Sequence, residues 1–296
     1  MTTPQPGIFS DQYSDHMILE FNVRSDRSAE EWIRALSRAR ASLPAGCVAV
    51  LAFGAACWSK LAPTEVPDYL IPFHPIIGAA DLLAPGTQSD VMLWIQSDRA
   101  DLNFQAAMAA HGALKEIATL EMEIRGFRYL DSRDLTGFID GTENPQDDDR
   151  AHVALIPDGQ VGAGGSFVLG QKWVHDLAAF ERLDVHQQQQ VIGRTKPDSI
   201  ELDDAPPTAH IRRTDVKIDG HPLQIYRRSV PFGDLREHGL YFLAFSSELM
   251  RFAIQLDRMF GCADDGLIDA LTGYSHPVTG SYWFAPSRQT LCQLLD

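Results

Sequence analysis

The sequence predicts an α+β fold of two ferredoxin-like (βαββαβ) halves, each an antiparallel sheet with helices packed on one face. In the first half of the 296-residue chain, apolar β-rich runs and stretches of helical periodicity follow the order β-α-β-β-α-β. The second half repeats this order loosely. We therefore predict an N-terminal domain over residues 1–132 and a C-terminal domain over residues 133–296.

The first half contains four predicted strands and two predicted helices. A capping box formed by Ser28 and Glu31 marks the start of the first helix. Asp98 or Asp101 is expected to cap the second helix. The irregular stretch over residues 59–89 is long for a loop, which predicts a role at a binding site. The strands are expected at Met17–Val23, Val48–Phe53, Val91–Ile95 and Glu121–Tyr129.

The second half is organised around a predicted hairpin. Asp219 and Gly220 lie between two short apolar runs, which is typical of a two-residue primed turn. Further strands are expected at Gly165–Val174, Leu240–Phe245 and Tyr282–Phe284, and helices over residues 176–192 and 252–260.

Composition and charge limit the classes of protein. A formal net charge of −15 argues against nucleic acid or an anionic membrane as a partner. No run is apolar enough for a membrane span, and the first residues lack the features of a signal peptide, so we expect a cytoplasmic protein. The four cysteines form neither a CxxC pair nor a CxxCH motif, so free thiols are expected.

The segment Gly137–Pro145 holds one acid, Asp140, between two glycines. Glycine permits close backbone approach and positive φ, so the turn can present a carboxylate into a cavity. Two other interpretations are an ordinary surface turn and a calcium loop that includes the acids at 147–149. The EF-hand register fails, because Pro145 stands where a glycine is required and Ala151 where an acid is required.

The letters of this segment, GFIDGTENP, resemble the GFxDGTxNP signature of the dye-decolourising (Dyp-type) haem peroxidases, and the chain length resembles that of the bacterial B (P) subgroup. The resemblance implies two ferredoxin-like halves with one non-covalent haem b per chain in the C-terminal half. It also implies hydrogen peroxide as oxidant, with small organic or dye-like reductants oxidised in one-electron steps through an oxoferryl porphyrin radical. We expect a homo-oligomer.

The proximal side of the implied haem follows from residues 206–214, which are similar to the family's proximal segment. This similarity makes His210 the expected axial ligand of the iron, with His175 as second choice. A ladder extended from the predicted hairpin would place His210 and Arg227 on one face of the sheet. The resemblance implies that these two residues lie on opposite faces of the porphyrin. We therefore expect His210 to precede the ladder, in a loop or at a helix end. Asp257 is the expected partner of the second imidazole nitrogen, or else an ordinary helix acid.

The distal side follows from residues 225–233, which are similar to the family's distal-arginine segment. The similarity implies a catalytic Arg227 and a distal polar Ser229. Asp140 is the expected proton shuttle, and Arg227 is expected to keep it ionised, which predicts an acid-shifted activity optimum. Arg228 should face away from Arg227, towards solvent or a propionate. The expected cofactor contacts are Ile139, Gly141, Thr142, His210 and Arg227.

Two other functions remain open. A haem-handling protein without turnover would need His210 but not the pair of Asp140 and Arg227. An acidic metal-binding module would centre on residues 140–149. Five aromatic residues could carry electrons to bulky reductants or could simply belong to the core: Trp173, Trp283, Tyr241, Tyr274 and Tyr282.

Overall fold

The computed structural model describes residues 2–296, which form a mixed α/β structure around one large antiparallel sheet. The strands of the described residues are β1 (Asp15–Val23), β2 (Val48–Phe53), β3 (Ile76–Ile77), β4 (Leu83–Ala84), β5 (Val91–Ser97), β6 (Ala118–Phe127), β7 (Ser166–His175), β8 (Lys217–Ile218), β9 (His221–Pro222), β10 (Tyr226–Arg227), β11 (Val230–Gly233), β12 (His238–Ser246), β13 (Ser275–Pro277) and β14 (Ser281–Ala285).

The helices lie between and after these strands. They are α1 (Ala29–Ala41), α2 (Ala55–Leu61), α3 (Ala100–Leu114), α4 (Asp149–Ala154), α5 (Leu177–Glu181), α6 (Val185–Ile192), α7 (His210–Thr214), α8 (Met250–Met259) and α9 (Arg288–Leu295), with short 3₁₀ helices at Pro6–Phe9, Ala79–Asp81 and Ala270–Gly273. Within residues 2–296, no helix combines the length and apolar character that a membrane crossing requires.

Eight of the strands close into a ring. The order is β6-β1-β5-β2 from the first half and β14-β7-β12-β11 from the second. Phe284 of β14 pairs with Phe53 of β2, and Phe232 of β11 pairs with Gly126 of β6, which joins the two halves at both ends. The halves therefore share one closed sheet and do not form two separate sheets, because each half offers its edge strands as pairing partners to the other.

The ring divides the apolar side chains into two cores. Side chains such as Leu51 and Leu93 point outward and pack with Trp32 of α1 and Ala106 of α3. Alternate positions on the same strands point into the ring, as the two-residue period of a strand requires. The inner core is formed mainly by Ile18, Val50, Met92, Trp94, Ile124, Val168, Leu243, Phe245 and Trp283.

Most of the predicted elements are confirmed. The four strands of the first half are present as β1, β2, β5 and β6, and the strands predicted in the second half are present as β7, β12 and β14. The capping box of Ser28 and Glu31 is formed in full. Asp219 and Gly220 both have positive φ, as the predicted primed turn requires, although each hairpin strand is only two residues long. All four cysteines are free thiols.

Two predictions about helices are wrong. Arg99 occupies the N-cap of α3 without a side-chain cap, so neither Asp98 nor Asp101 caps this helix. Asp101 pairs instead with the Arg99 guanidinium. The helix expected over residues 176–192 is interrupted, because Asp184 accepts the Gln187 N–H and starts α6 as a separate helix.

A carboxyl group is buried inside the ring. Glu20 is only 2% exposed, and its oxygens accept hydrogen bonds from the Tyr241 hydroxyl at 2.8 Å and the Ser89 hydroxyl at 3.2 Å. Burial raises the pKa of Glu20 to about 7, against the opposing effect of these two hydrogen bonds.

This burial predicts a pH-dependent stability. Because the pKa of Glu20 is raised on folding, its contribution to stability is complete below the unfolded value of 4.5 and is lost as pH rises through about 7. The Glu20→Gln variant lacks this titration. As pH rises from 4.5 to about 7, we expect the free energy of unfolding of the wild type to fall by about 3 kcal/mol relative to that of Glu20→Gln. Urea denaturation across this range measures the difference. The exposed Glu116→Gln is the control, and parallel curves for wild type and Glu20→Gln would contradict the expectation.

Candidate active site

A cavity of about 540 Å³ lies in the second half of the chain. Its walls come from the loop over residues 134–143, from β7, α7, β12 and α8, and from residues 222–227. None of the lining residues comes from the stretch 59–89, so the prediction that this stretch serves the site is wrong for this cavity. Six predicted site residues line it together: Ile139, Asp140, Gly141, Thr142, His210 and Arg227.

A smaller cavity of about 250 Å³ adjoins the first one. Asp140, Gly141 and Arg227 line both cavities. Ser229 lines only the smaller one, and its Oγ accepts the Leu243 N–H at 3.4 Å. Ser229 therefore shares the smaller cavity with Asp140, Gly141 and Arg227 but lies outside the larger one, which also holds His210.

The loop that carries Asp140 is a rigid turn. Gly137 has φ +87°, and a Cβ at this position would lie 2.7 Å from the Lys196 side chain, so only glycine fits. Arg133 donates to the Gly137 carbonyl at 2.9 Å, and the Asp140 N–H donates to the Ser132 carbonyl at 3.2 Å. These bonds fix the backbone on both sides of the apolar residues and hold Asp140 at the cavity wall.

Asn144 connects this loop to the strand that carries Arg227. Its side-chain NH₂ donates to the Arg227 carbonyl at 2.7 Å, and its Oδ1 accepts the Arg227 N–H at 2.9 Å. The amide thus satisfies both backbone groups of Arg227, as a neighbouring strand would. Through these two bonds, Asn144 sets the position of Arg227 relative to Asp140.

The side chains of Asp140 and Arg227 are free of protein partners. Across residues 2–296, neither side chain makes a hydrogen bond or a salt bridge. Asp140 and Arg227 therefore do not form a direct ion pair within these residues. Both groups are available to a ligand, and both are only partly buried.

The Arg228 side chain is bonded to other parts of the protein. Its guanidinium donates to the Ile8 carbonyl at 2.7 Å and to Gln96 Oε1 at 3.2 Å, and it lies 5.1 Å from the Trp94 ring centroid. Burial lowers its pKa. Arg228 therefore lies outside the lining of the larger cavity, as predicted, but its guanidinium is bonded to protein atoms.

His210 is the first residue of α7, at a helix end outside the hairpin ladder, as the register argument requires. Its Nδ1 lies 2.6 Å from Oδ2 of Asp269, whose other oxygen accepts the Leu271 N–H at 2.9 Å. Asp269 is fully buried. This contact selects the tautomer with a proton on Nδ1 and leaves Nε2 with a free lone pair.

The prediction that Asp257 is the partner of His210 is therefore wrong. Asp257 lies on α8 and makes no side-chain contact with the imidazole, and burial raises its pKa. Asp269 lies twelve residues further on, before the 3₁₀ helix at Ala270–Gly273, where its N–H donates to the Met259 carbonyl. No pattern around Asp269 distinguishes it in the sequence.

A buried arginine holds α7 in place. Arg213 is 1% exposed and donates two hydrogen bonds to the Asp265 carboxylate, at 2.7 and 2.8 Å. It also donates to the Arg258 carbonyl at the end of α8. Hydrogen bonds from Arg213 lower the pKa of Asp265 to about 2. These contacts fix the helix that begins with His210.

His175, the second-choice ligand, has both ring nitrogens occupied. Its Nε2 lies 3.0 Å from Oδ1 of Asp134, and its Nδ1 lies 2.8 Å from the Ser275 hydroxyl. Burial by itself raises the pKa of Asp134, but the hydrogen bonds and charge of His175 and the bonds from Thr136 outweigh it, so the pKa is lowered. His175, Asp134 and Ser275 all line the cavity. The sequence analysis identified neither Asp134 nor Ser275 as a site residue.

The acidic run after the loop does not form a metal site. Asp147, Asp148 and Asp149 are exposed. Among residues 2–296, no group of three or more His, Cys, Asp or Glu side chains is arranged to hold a metal ion.

Comparison with known proteins covers nearly the whole chain. A family model described as "Dyp-type peroxidase, N-terminal" matches residues 5–128, and one described as "Dyp-type peroxidase, C-terminal" matches residues 131–290. A dye-decolorizing peroxidase of Mycobacterium tuberculosis is 35% identical over 244 residues, which cover 80% of this chain and 72% of that protein.

Two solved structures show the same fold. A Dyp-type peroxidase protein from Shewanella oneidensis aligns with a TM-score of 0.92 at 32% identity, covering 100% of this chain and 98% of the other. A variant of DypB from Rhodococcus jostii, solved in complex with haem, aligns with a TM-score of 0.90 at 33% identity, covering 99% of both chains.

The link through Asn144 can be tested by stability. In Asn144→Ala, both backbone groups of Arg227 lose their partners, so we expect a loss of about 2 kcal/mol in the free energy of unfolding, about 1 kcal/mol for each bond. Chemical denaturation measures the change. Gln146→Ala is the control, because exposed Gln146 bonds only within the loop. Equal stability of Asn144→Ala and Gln146→Ala would show that the link contributes nothing.

Proposed function

The chain belongs to the Dyp-type peroxidase family, and on that premise we propose that His210 holds a haem iron while Asp140 and Arg227 act on hydrogen peroxide. The protein is a haem peroxidase that uses hydrogen peroxide to oxidise organic, dye-like substrates. One observation carries the assignment of residues. An imidazole oriented by a buried carboxylate shares a cavity with a carboxylate and a guanidinium that have no protein partners.

The residues of the cavity fit a haem. Its volume of about 540 Å³ lies within the range typical of cofactor pockets. The donor set suits haem iron, because one neutral imidazole is available and its second nitrogen is bonded to a carboxylate. The buried Nε2 of Gln171, in the cavity wall, has no partner within residues 2–296 and can donate to a ligand. Apolar walls come from Phe138, Ile139, Leu240, Phe242, Leu256 and Met259.

On the proximal side, we propose that Nε2 of His210 would hold the iron of one non-covalent haem b per chain. Bound haem supplies the redox chemistry, since it can take up the two oxidising equivalents of peroxide and pass them on singly. The Asp269 carboxylate keeps the imidazole ring in one orientation and strengthens Nε2 as a donor. Arg213 maintains this geometry by fixing α7 against α8.

On the distal side, we assign Asp140 as the group that takes a proton from peroxide and returns it to the departing oxygen. Arg227 stabilises the negative charge that develops on the oxygens. The smaller cavity, which reaches both residues, is the proposed entry for peroxide, and Ser229 is a polar group in its wall. Ile139, Gly141 and Thr142 flank Asp140 and are the proposed contacts to the face of the cofactor.

A haem-handling protein without turnover is the less favoured function. It would need His210 but would gain nothing from Asp140 and Arg227 in the same cavity. Asn144, which fixes the backbone of Arg227 beside the loop of Asp140, favours a catalytic role for the pair.

We also propose that each half of the chain is a ferredoxin-like unit. Each half contributes four strands to the ring, and if these are numbered by their order in the chain, both halves place them side by side in the order fourth, first, third, second. This shared order supports two ferredoxin-like units. The family models meet near residue 130, which supports domains over residues 1–132 and 133–296. Similarity to DypB supports membership of the bacterial B subgroup.

We also propose a localisation and a set of partners from the charge, the cysteines and the exposed side chains. A net charge of −15 opposes binding to nucleic acids and anionic membranes, and four free cysteines suit the reducing cytoplasm. Exposed apolar side chains at Tyr69, Ile71 and Ile77 offer a surface for a homo-oligomer.

The axial ligand is tested by absorbance spectroscopy. We expect His210→Ala to fold but to lose the Soret band of the reconstituted protein, because the iron loses its protein donor. His175→Gln should keep the band, since both nitrogens of His175 are already occupied. A Soret band retained in His210→Ala and lost in His175→Gln would reverse the assignment.

The distal pair is tested by stopped-flow spectroscopy with peroxide. Asp140→Ala removes the proton carrier and should slow the reaction of the haem with peroxide about a hundredfold or more. Arg227→Ala removes the stabilising charge and should slow it to a similar extent, about a hundredfold. Asp147→Ala, an exposed acid nearby, is the control. Wild-type rates in both distal variants, with the Soret band intact, would contradict the assignment.

A further inference from the structure

The inner core of the ring contains a tyrosine bonded to a carboxylate. Tyr241 is fully buried, and its hydroxyl donates to Glu20 at 2.8 Å. Burial raises the pKa of Tyr241 well above its ordinary value, and the charge of Glu20 adds to this effect. An ionisable carboxyl in an apolar interior costs stability whenever it carries its charge.

The tyrosine lies directly behind the wall of the larger cavity. Tyr241 stands between Leu240 and Phe242 on β12, and both of these residues line that cavity. On β7, Gly170 stands between Leu169 and Gln171, which also line it. A Cβ at Gly170 would lie 2.6 Å from the Tyr241 hydroxyl oxygen. The phenol therefore packs against the backbone that forms the cavity wall.

We propose that Tyr241 is a redox-active site that takes one oxidising equivalent from the cavity, with Glu20 as the acceptor of the phenol proton. This inference rests on the proposed haem site and extends it into the inner core. Neither residue touches the cavity itself, so the site is separate from the groups that act on peroxide.

The step balances in electrons and protons. One electron leaves the Tyr241 phenol and reduces the peroxide-oxidised cofactor by one equivalent. The phenol O–H bond breaks, and its proton crosses the 2.8 Å contact to the Glu20 carboxylate, where a new O–H bond forms. The products are a neutral tyrosyl radical and a neutral carboxylic acid, so no net charge is created in the apolar interior. An electron from a reductant reverses the step.

Glu20 distinguishes Tyr241 from the other buried aromatic residues. Tyr282 is also buried, but its hydroxyl makes no hydrogen bond within residues 2–296. Trp283 is buried, and its indole N–H has no partner among residues 2–296.

The indole N–H of buried Trp94 donates to His16 Nδ1 at 3.3 Å, but a proton moved there would create a charged imidazolium in the apolar core. An aromatic ring that cannot release its proton is much harder to oxidise, because the charge of the radical cation would stay in the apolar core. Among the buried aromatic residues described, the Tyr241 phenol is the one that donates to a carboxylate.

The step requires an ionised Glu20 and therefore depends on pH. Tyr241 is the titratable group that faces Glu20 from β12, and Ser89 beside β5 is uncharged. His16, on the same strand as Glu20, stays neutral, because burial and then the charge of Arg228 lower its pKa to about 3. With a Glu20 pKa of about 7, the ionised fraction rises about tenfold between about pH 6 and about pH 8.

Freeze-quench electron paramagnetic resonance tests the proposal on the haem-loaded protein. One equivalent of peroxide is added without reductant, and the tyrosyl radical is counted per haem oxidised. We expect the wild-type yield to rise about tenfold between about pH 6 and about pH 8. The signal should be absent in Tyr241→Phe and low at both pH values in Glu20→Gln, which keeps a hydrogen-bond acceptor but cannot take the proton. Tyr282→Phe, the matched control, should give the wild-type signal.

The outcomes separate this inference from the proposed function. A tyrosyl signal of wild-type size in Tyr241→Phe, or an unchanged yield in Glu20→Gln, would overturn the radical site while leaving the peroxidase intact. A peroxide-reactive wild type without a tyrosyl signal at about pH 8 would also overturn it. A wild type whose Soret band does not respond to peroxide would overturn the proposed function, and this inference with it. Glu20→Gln decides the matter even if Tyr241→Phe folds poorly.

Discussion

The contact between His210 and Asp269 determines the chemistry available to the cavity. An imidazole can offer either nitrogen to a metal, and only a fixed partner decides which one is free. Asp269 is fully buried, and its second oxygen is held by the backbone of Leu271, so the carboxylate cannot turn away. The lone pair of Nε2 is therefore held in one direction before any ligand arrives. The roles proposed for Asp140 and Arg227 depend on this donor.

The closed ring of strands separates two environments that share one wall. β7 and β12 present Leu169, Gln171, Leu240 and Phe242 to the cavity and alternate side chains to the inner core. The period of two along each strand makes this division unavoidable. The two environments are therefore separated only by the backbone of these strands. The redox site proposed at Tyr241 and Glu20 depends on this short separation.

Local patterns in the sequence predicted much of the fold and part of the site. Capping by Ser28, the primed turn and the apolar strands depend on neighbouring residues, and all were found. The ring could not be predicted, because single residue pairs far apart in sequence close it, such as Phe53 with Phe284. Three segments that resemble the family identified Asp140, Arg227 and His210, and the structure places all three in one cavity wall. Asp269 carries no local pattern, and the choice of Asp257 failed for that reason.

The order in which the strands join has a consequence for synthesis on the ribosome. β2 lies early in the chain, but its free side pairs with β14, which is the last of the described strands to emerge. The nascent first half therefore waits with an uncovered strand and an open apolar interior. Holdase chaperones recognise such surfaces. Slow translation prolongs the interval in which this surface is exposed, and with it the opportunity for aggregation.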